Sequence, residues 1–173
     1  NFLTILKNKN LKTKFVKANS GYIFSNLSEK PLSKSILVRP NSPYVSAQSK
    51  AFKLVNEFRK KKVNCYTAIF FNAESSLRPN NFFIKKACHF VKNNLFKKNK
   101  LKIGNINLTR DFGWAPELVK GAFYMTELKP CNLIFASGQK VLLSGILNSI
   151  FKMKKINYKN YFKIDKSFFR KNE

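Results

Sequence analysis

The sequence predicts a layered α/β protein with a largely parallel sheet. Short apolar runs of strand character alternate with longer stretches of helical periodicity from one end to the other. The run NCYTAIFF, Asn64 to Phe71, is almost continuously apolar, as a strand covered on both faces requires. No internal repeat and no low-complexity linker interrupts the pattern, and 173 residues argue for one domain, or one and a piece.

The elements follow in order. Phe2, Leu3, Ile5 and Leu6 recur at helical spacing, so the chain opens inside a helix. Lys14 to Ala18 reads as a short strand ending in the small polar Asn19-Ser20-Gly21. Residues 25–43 read as loop, punctuated by Pro31, Pro40 and Pro43. A long helix is predicted over 44–61, with proline well placed at its start and Ala51, Phe52, Leu54, Val55 and Phe58 as its apolar face. The buried strand 64–71 comes next, then a polar loop over 72–81 and a Phe-rich helix over 82–96. Leu101 to Gly104 is a short strand, 105–111 a polar loop, and 115–128 a helix with Pro116 in its first turn. Asn132 to Ala136 is a second apolar strand, 142–153 a helix, and Phe162 to Ile164 a last short strand.

Charge is the most unusual property. There are 34 Lys+Arg against 8 Asp+Glu, a formal net charge of +26. Such a balance first points to nucleic acid. The composition argues against a specific reader, because only Arg39, Arg59, Arg78, Arg110 and Arg170 are arginine and the remainder are lysines spread along the chain. Bidentate recognition of bases and phosphates leans on the arginine fork. Excess Lys, Asn and Phe together fit drift toward AT-rich codons, with most lysines on solvated surface. A basic nucleic-acid-binding protein stays as an alternative, and no specific nucleic acid is expected as a partner.

The hydrophobic share of 44% can fill a core, which argues against full disorder. Cys65, Cys88 and Cys131 are too widely spaced for a disulfide framework or a CxxC motif. His89 beside Cys88 has no further ligands near it, and no metal is expected. No apolar run approaches the 18 or so residues of a membrane span, and no secretory start is visible. A cytoplasmic protein without membrane attachment is the expectation.

Functional loops of an open α/β sheet lie at the C-terminal ends of its strands. Three such places are polar here: Asn19-Ser20-Gly21, Asn72-Ala73-Glu74-Ser75, and Asn105 to Asp111. Tyr44, at the start of the long helix, is a fourth candidate. A phenol near a hydroxyl and a cofactor serves as general acid or base if its pKa of about 10 is lowered.

Several longer strings carry more information than any short motif: FVKANSGYIF, RPNSPY, NEFRKKKVNCYTAIFFNAESSLRP, LKIGNINLTRDFGWAPELVKGAFYM, NLIFASG and FKIDKSFFRKNE. Through them, from its first residue to its last, the chain resembles the GDP-mannose 4,6-dehydratase branch of the extended short-chain dehydrogenase/reductases. The resemblance implies a Rossmann-like NAD(P)-binding fold. It implies that residues 1–71 are the remaining Rossmann sheet and catalytic helix, and 72–173 a mixture of substrate-binding cap and last sheet elements.

Position by position, the implication is mixed. Ser20 stands where relatives have a Ser or Thr that hydrogen-bonds the sugar 4-hydroxyl. Two residues later, where relatives carry the glutamate that removes the C5 proton, this chain has Tyr22. Tyr44 matches the catalytic tyrosine, but one helical turn on, in place of its lysine, stands Gln48. A lysine there lowers the tyrosine pKa and grips the nicotinamide ribose, whereas a glutamine supplies hydrogen bonds and no charge. Lys50 is about 120° around the helix from Tyr44, so it is not expected to substitute.

Asn72, Glu74 and Arg78 match positions that pack against the cofactor, with Asn72 also reaching substrate. Ala73 replaces a histidine. Lys86, Gly104, Asn105 and Arg110 match positions at the nucleotide and its diphosphate, where a guanidinium fork suits phosphate. Arg110 beside Asp111 is also readable as a plain salt pair.

The family chemistry is an internal redox cycle. NADP takes hydride from C4 of GDP-mannose, the resulting ketone acidifies the C5 proton, water is eliminated across C5–C6, and hydride returns at C6. The product is GDP-4-dehydro-6-deoxy-mannose, a precursor of GDP-fucose. Nothing like GxxGxxG occurs in the 173 residues. The resemblance therefore implies a middle portion of a longer, homo-oligomeric parent, without the first dinucleotide-binding strands and with part of the cap. The alternative within the family is a catalytically degenerate nucleotide-sugar-binding remnant, favoured by Tyr22 and Gln48.

Overall fold

The computed structural model describes residues 2–24, 40 and 42–169. Most of the loop read over 25–43 lies outside them, as do Arg39 and Arg170. In chain order the elements are α1 (Phe2–Asn8), β1 (Phe15–Ser20), α2 (Pro43–Lys60), β2 (Cys65–Phe70), β3 (Asn72–Glu74), α3 (Phe83–Lys92), β4 (Leu101–Ile103), β5 (Thr109–Arg110), β6 (Phe112–Trp114), α4 (Ala115–Tyr124), β7 (Asn132–Phe135), β8 (Val141–Leu142), α5 (Leu143–Lys152) and β9 (Phe162–Ile164). Two compact units result: residues 1–73 with 113–137, and residues 74–112 with 138–173.

The first unit is built on a parallel sheet of order β1-β2-β7. Its register runs from Phe15 opposite Cys65 to Ser20 opposite Phe70, and from Thr67 opposite Asn132 to Phe70 opposite Phe135. The central strand β2 is buried almost throughout, so its apolar run needed no alternation. Period-two geometry sends Cys65, Thr67 and Ile69 to one face and Tyr66, Ala68 and Phe70 to the other. On the first face Cys65 packs with Leu3, Leu6, Val55, Phe58 and Val63, and Ile69 packs with Ile23, Phe24 and Phe52. On the second, Tyr66 and Ala68 pack with Ala122 and Met125, with Phe70, Leu133 and Phe135 alongside. Helices α1 and α2 thus cover one face and α4 the other.

Local chemistry fixes the ends of α2. The Ser42 hydroxyl accepts from the Val45 N–H at 3.2 Å, and Pro43 occupies the first turn. Its last turn carries Arg59 and Lys60, favourable at the negative end of the helix dipole. Arg59 then ties the helix to the sheet. Its guanidinium donates to the Cys65 carbonyl (2.8 Å), Asn56 Oδ1 (2.8 Å), the Cys131 carbonyl (3.0 Å) and Asn132 Oδ1 (2.8 Å). Sequence reading did not single this residue out.

The second unit has a helical core. Ala87, Phe90 and Val91 of α3 pack against Leu147, Ile150 and Phe151 of α5, with Leu101 and Ile103 of β4 completing the cluster. Strand β4 pairs in parallel with β9, and β5 antiparallel with β8.

The structure refines the sequence reading of several elements. Among the described residues the strands form one three-stranded parallel sheet and three two-stranded pairs. Asn19 and Ser20 lie inside β1 rather than after it, because both still match the register of β2. Residues 72–74 and 109–110, read as loop, are the short strands β3 and β5. Polar residues at half-buried strand positions carry no apolar signal. The helices predicted over 82–96 and 115–128 stop at Lys92 and Tyr124, each followed by a 3-10 turn. Trp114 is half exposed at the start of α4.

Candidate functional site

In the first unit Ser20, Tyr22 and Gln48 meet through Asn19 where β1 ends. Ser20 is the last residue of β1, and its Oγ accepts from the Tyr22 N–H at 3.2 Å. Tyr22 is half-buried on the 3-10 turn Gly21–Phe24, between the buried Gly21 and Ile23. The Ser20 N–H donates to Asn19 Oδ1 at 2.8 Å, and the Asn19 side chain is buried. Asn19 Nδ2 donates in turn to the Gln48 carbonyl at 3.1 Å. The end of the strand is therefore pinned to α2 at the residue one turn after Tyr44.

Tyr44 stands in the first turn of α2 and is 55% exposed, open to a ligand. Gln48 shares its helix face, since positions four apart lie one above the other. The Gln48 side chain has a cationic partner: Lys17 Nζ donates to Gln48 Oε1 at 3.3 Å, and also to the Ala18 carbonyl. Burial pulls the Lys17 ammonium below the usual lysine value. Asn72 is half-buried in β3. Lys50 is exposed.

In the second unit the predicted residues occupy two places. Glu74 and Arg78, read as cofactor contacts, form an ion pair with each other at 3.7 Å, and the Arg78 guanidinium lies 3.6 Å from the centre of the Phe82 ring. Burial pushes the Glu74 carboxyl up, and Arg78 opposes that rise. The other place is the end of β4. Lys86 Nζ lies 4.2 Å from the centre of the Phe168 ring. Burial pulls its ammonium down, Asp165 opposes that, and Lys102 adds to it. Gly104 meets the same residue: a Cβ there would lie 3.2 Å from Phe168 Cβ and 3.3 Å from its carbonyl oxygen, so only glycine passes without displacement.

Asn105 Oδ1 accepts from the Asn107 N–H at 2.9 Å, which closes the turn after β4. A groove of about 350 Å³ borders it, lined by Asn105, Ile106, Asn107, Phe162, Ile164 and Phe169. Arg110, half-buried in β5, donates through Nη1 to the Thr109 carbonyl at 2.9 Å. Its neighbour Asp111 accepts from the Gly138 N–H at 2.7 Å, so a backbone group engages that carboxylate. A larger open groove along α5 and the turn after it, lined by Ser144, Lys152, Lys155 and Lys159 among others, contains none of the predicted residues.

Sequence reading missed Lys17, and it named Asn19 only as part of a polar strand end, without its partner. Alternation along β1 places Phe15, Lys17 and Asn19 on one side of the strand, and that much was readable. That this side meets Gln48 is a tertiary fact with no local signature.

A model of the GDP-mannose 4,6 dehydratase family matches residues 1–173. The chain belongs to this family. It is 28% identical over 144 residues to the GDP-mannose 4,6 dehydratase of Dictyostelium discoideum, covering 82% of this chain and 40% of that protein. It is 29% identical over 165 residues to GDP-mannose 4,6 dehydratase 1 of Arabidopsis thaliana, covering 92% of this chain and 45% of that protein. The chain thus spans less than half the length of these dehydratases.

Among solved structures, the dTDP-glucose 4,6-dehydratase of Bacillus anthracis, in complex with NAD, superposes with a TM-score of 0.82 over 95% of this chain and 53% of that one, at 14% identity. RMD from Pseudomonas aeruginosa, complexed with NADPH, gives 0.82 over 94% of this chain and 57% of that one, at 18% identity. At such identities the agreement is one of fold, and it is the Rossmann-like fold of the extended short-chain dehydrogenase/reductases. Among the described residues, no helix is long and apolar enough to cross a membrane.

Proposed function

We propose that this protein takes GDP-mannose as its substrate and NADP as its cofactor, and that its chemistry is that of the 4,6-dehydratases. The observation that carries the proposal is the pinning of the β1 end to α2 through Asn19 and Gln48, with Ser20 on one side of that link and the exposed Tyr44 on the other. The Ser20 hydroxyl hydrogen-bonds the sugar 4-hydroxyl. Tyr44, the exposed phenol, receives the 4-hydroxyl proton and returns it. In the second unit, Lys86, Gly104, Asn105 and Arg110 are our candidates for the nucleotide and its diphosphate, with Arg110 contributing a fork to phosphate oxygens.

The residues present fit one end of the dinucleotide. Tyr44 and Gln48, backed by Lys17, offer hydrogen bonds and positive charge to the nicotinamide ribose. Asn72 belongs to the same unit and is the further candidate for this end. Glu74 and Arg78 are already paired with each other, so a role at the cofactor requires that pair to open. No Gly-rich turn for the pyrophosphate occurs in the sequence. When bound, NADP supplies reversible hydride acceptance at the sugar. The fuller function, including assembly into homo-oligomers and a place in GDP-fucose formation, is proposed from family membership alone.

Tyr22 favours a second reading. It occupies the position where the resemblance implies the C5 base, and it lacks the carboxylate that would take that proton. In this reading the protein binds nucleotide sugar without completing elimination. Incubating the protein with GDP-mannose and NADP and weighing the sugar nucleotide separates the two. Loss of one water supports the dehydratase. Saturable GDP-mannose binding with unchanged mass supports the binding protein, and in that case Tyr22→Glu raises product formation by about a hundredfold. Absence of both binding and product contradicts either reading.

A further inference from the structure

We propose that Lys17 is the cation of the Tyr44 site: a positioning residue on β1 that delivers, through the Gln48 amide, the positive charge that the helix lacks at position 48. This rests on the reading of Tyr44 and Gln48 given above, and it concerns a residue outside the helix that carries them.

The geometry supports the assignment from two sides. Lys17 and Asn19 are two residues apart on one strand, so their side chains leave on the same side, about 6.6 Å from each other along the strand. Both reach the same helix residue. Asn19 holds the Gln48 backbone carbonyl at 3.1 Å, and Lys17 holds its side-chain carbonyl at 3.3 Å. Gln48 is thereby fixed in position and orientation. An amide whose oxygen is engaged by an ammonium presents its N–H₂ to another partner, and its donors are strengthened by the charge behind them. That partner would be a ribose hydroxyl or the phenolic oxygen one turn back on the same helix face.

The charge is also better placed than those of the α2 lysines Lys50 and Lys53. Lys50, in α2 itself, projects about 120° away from Tyr44 and is exposed. Lys53 is likewise exposed. Lys17 is half-buried, so its field is screened less than that of a free surface lysine. Its depressed proton affinity, caused by burial, agrees with a desolvated position.

The test reads Tyr44 directly and needs no turnover. A phenolate-selective acylating reagent is applied to the chain, and labelling at each tyrosine is followed by peptide mass mapping. Tyr124, of similar exposure at 57%, is the internal reference. Lys17→Gln is expected to slow Tyr44 labelling relative to Tyr124 by about threefold or more. Lys17→Arg, which keeps the charge, is expected to stay within about twofold of the wild type. The exchange variant Lys17→Gln/Gln48→Lys, which moves the cation onto the helix, is expected to restore the rate. An unchanged ratio in Lys17→Gln, or no recovery in the exchange variant, overturns the proposal. If Lys17→Gln fails to fold by circular dichroism, the arginine and exchange variants decide: both must then keep Tyr44 reactivity. GDP-mannose binding measured in parallel keeps the two readings apart. Labelling that responds to Lys17 without nucleotide-sugar binding removes the functional assignment alone. Binding with labelling indifferent to Lys17 removes only this inference.

Discussion

The two units solve the same stability problem by different means. The first buries a central parallel strand between helices and locks α2 to two strand ends through one guanidinium with four hydrogen bonds. The second relies on two helices packed face to face around Phe90, Leu147 and Phe151, with strand pairs of two or three residues at the margin. The proposed roles divide along the same line. The first unit holds the proposed redox candidates Ser20, Tyr44 and Gln48, and the replacements noted at Tyr22, Gln48 and Ala73 lie there. The second holds the proposed nucleotide candidates Lys86, Gly104, Asn105 and Arg110.

Substitutions at the centre of each unit sharpen this contrast. Phe151→Ala removes a fully buried ring from the second unit and is expected to cost about 3–5 kcal/mol. Hydrogen exchange should then rise in α3 and α5 while β2 stays protected. Arg59→Met is the converse, expected to cost about 3 kcal/mol, because four acceptors lose a charged donor. Here protection should fall in β1, β2 and β7 and persist in α5. If either change exposes both units equally, the division into two cooperative bodies is wrong.

The smallest effect is proton-linked and belongs to Glu74. Burial raises its carboxyl above the ordinary value of 4.5 despite Arg78. A carboxyl raised on folding binds its proton more tightly in the folded chain, so its contribution favours folding at low pH. That contribution fades as pH rises from 4.5 through the raised folded value. Thermal midpoints between pH 4 and pH 7 should show the wild type losing ground to Glu74→Gln across that window. Parallel curves would mean that the carboxyl is not desolvated.

The sequence was most legible where one rule dominated. The nearly continuous apolar run 64–71 had to be a central strand, and Pro43 had to start a helix. Both held to within a residue. Short polar strands such as Asn72–Glu74 were not legible, because half-buried polar residues have neither periodicity nor an apolar signal. Family resemblance nominated Ser20, Tyr44 and Arg110, and it exposed the substitutions at Tyr22 and Gln48. Nothing pointed to Lys17, and the reading of Asn19 as part of a polar strand end could not show its partner: the contacts these two make with Gln48 lie 31 and 29 residues away along the chain. Arg59 was hidden for the same reason, since it reaches across 72 and 73 residues to Cys131 and Asn132.

The central claim is that the end of β1 and the start of α2 form a specific nucleotide-sugar site rather than a stretch of generally basic surface. Backbone amide NMR of the chain titrated with GDP-mannose, beside an equal titration with heparin at the same ionic strength, tests it most directly. Saturable shifts of Ser20, Tyr22, Tyr44 and Gln48 with GDP-mannose, absent with heparin, are the predicted result. Shifts scattered over surface lysines and shared by both ligands, or no shift at these four residues, would contradict it.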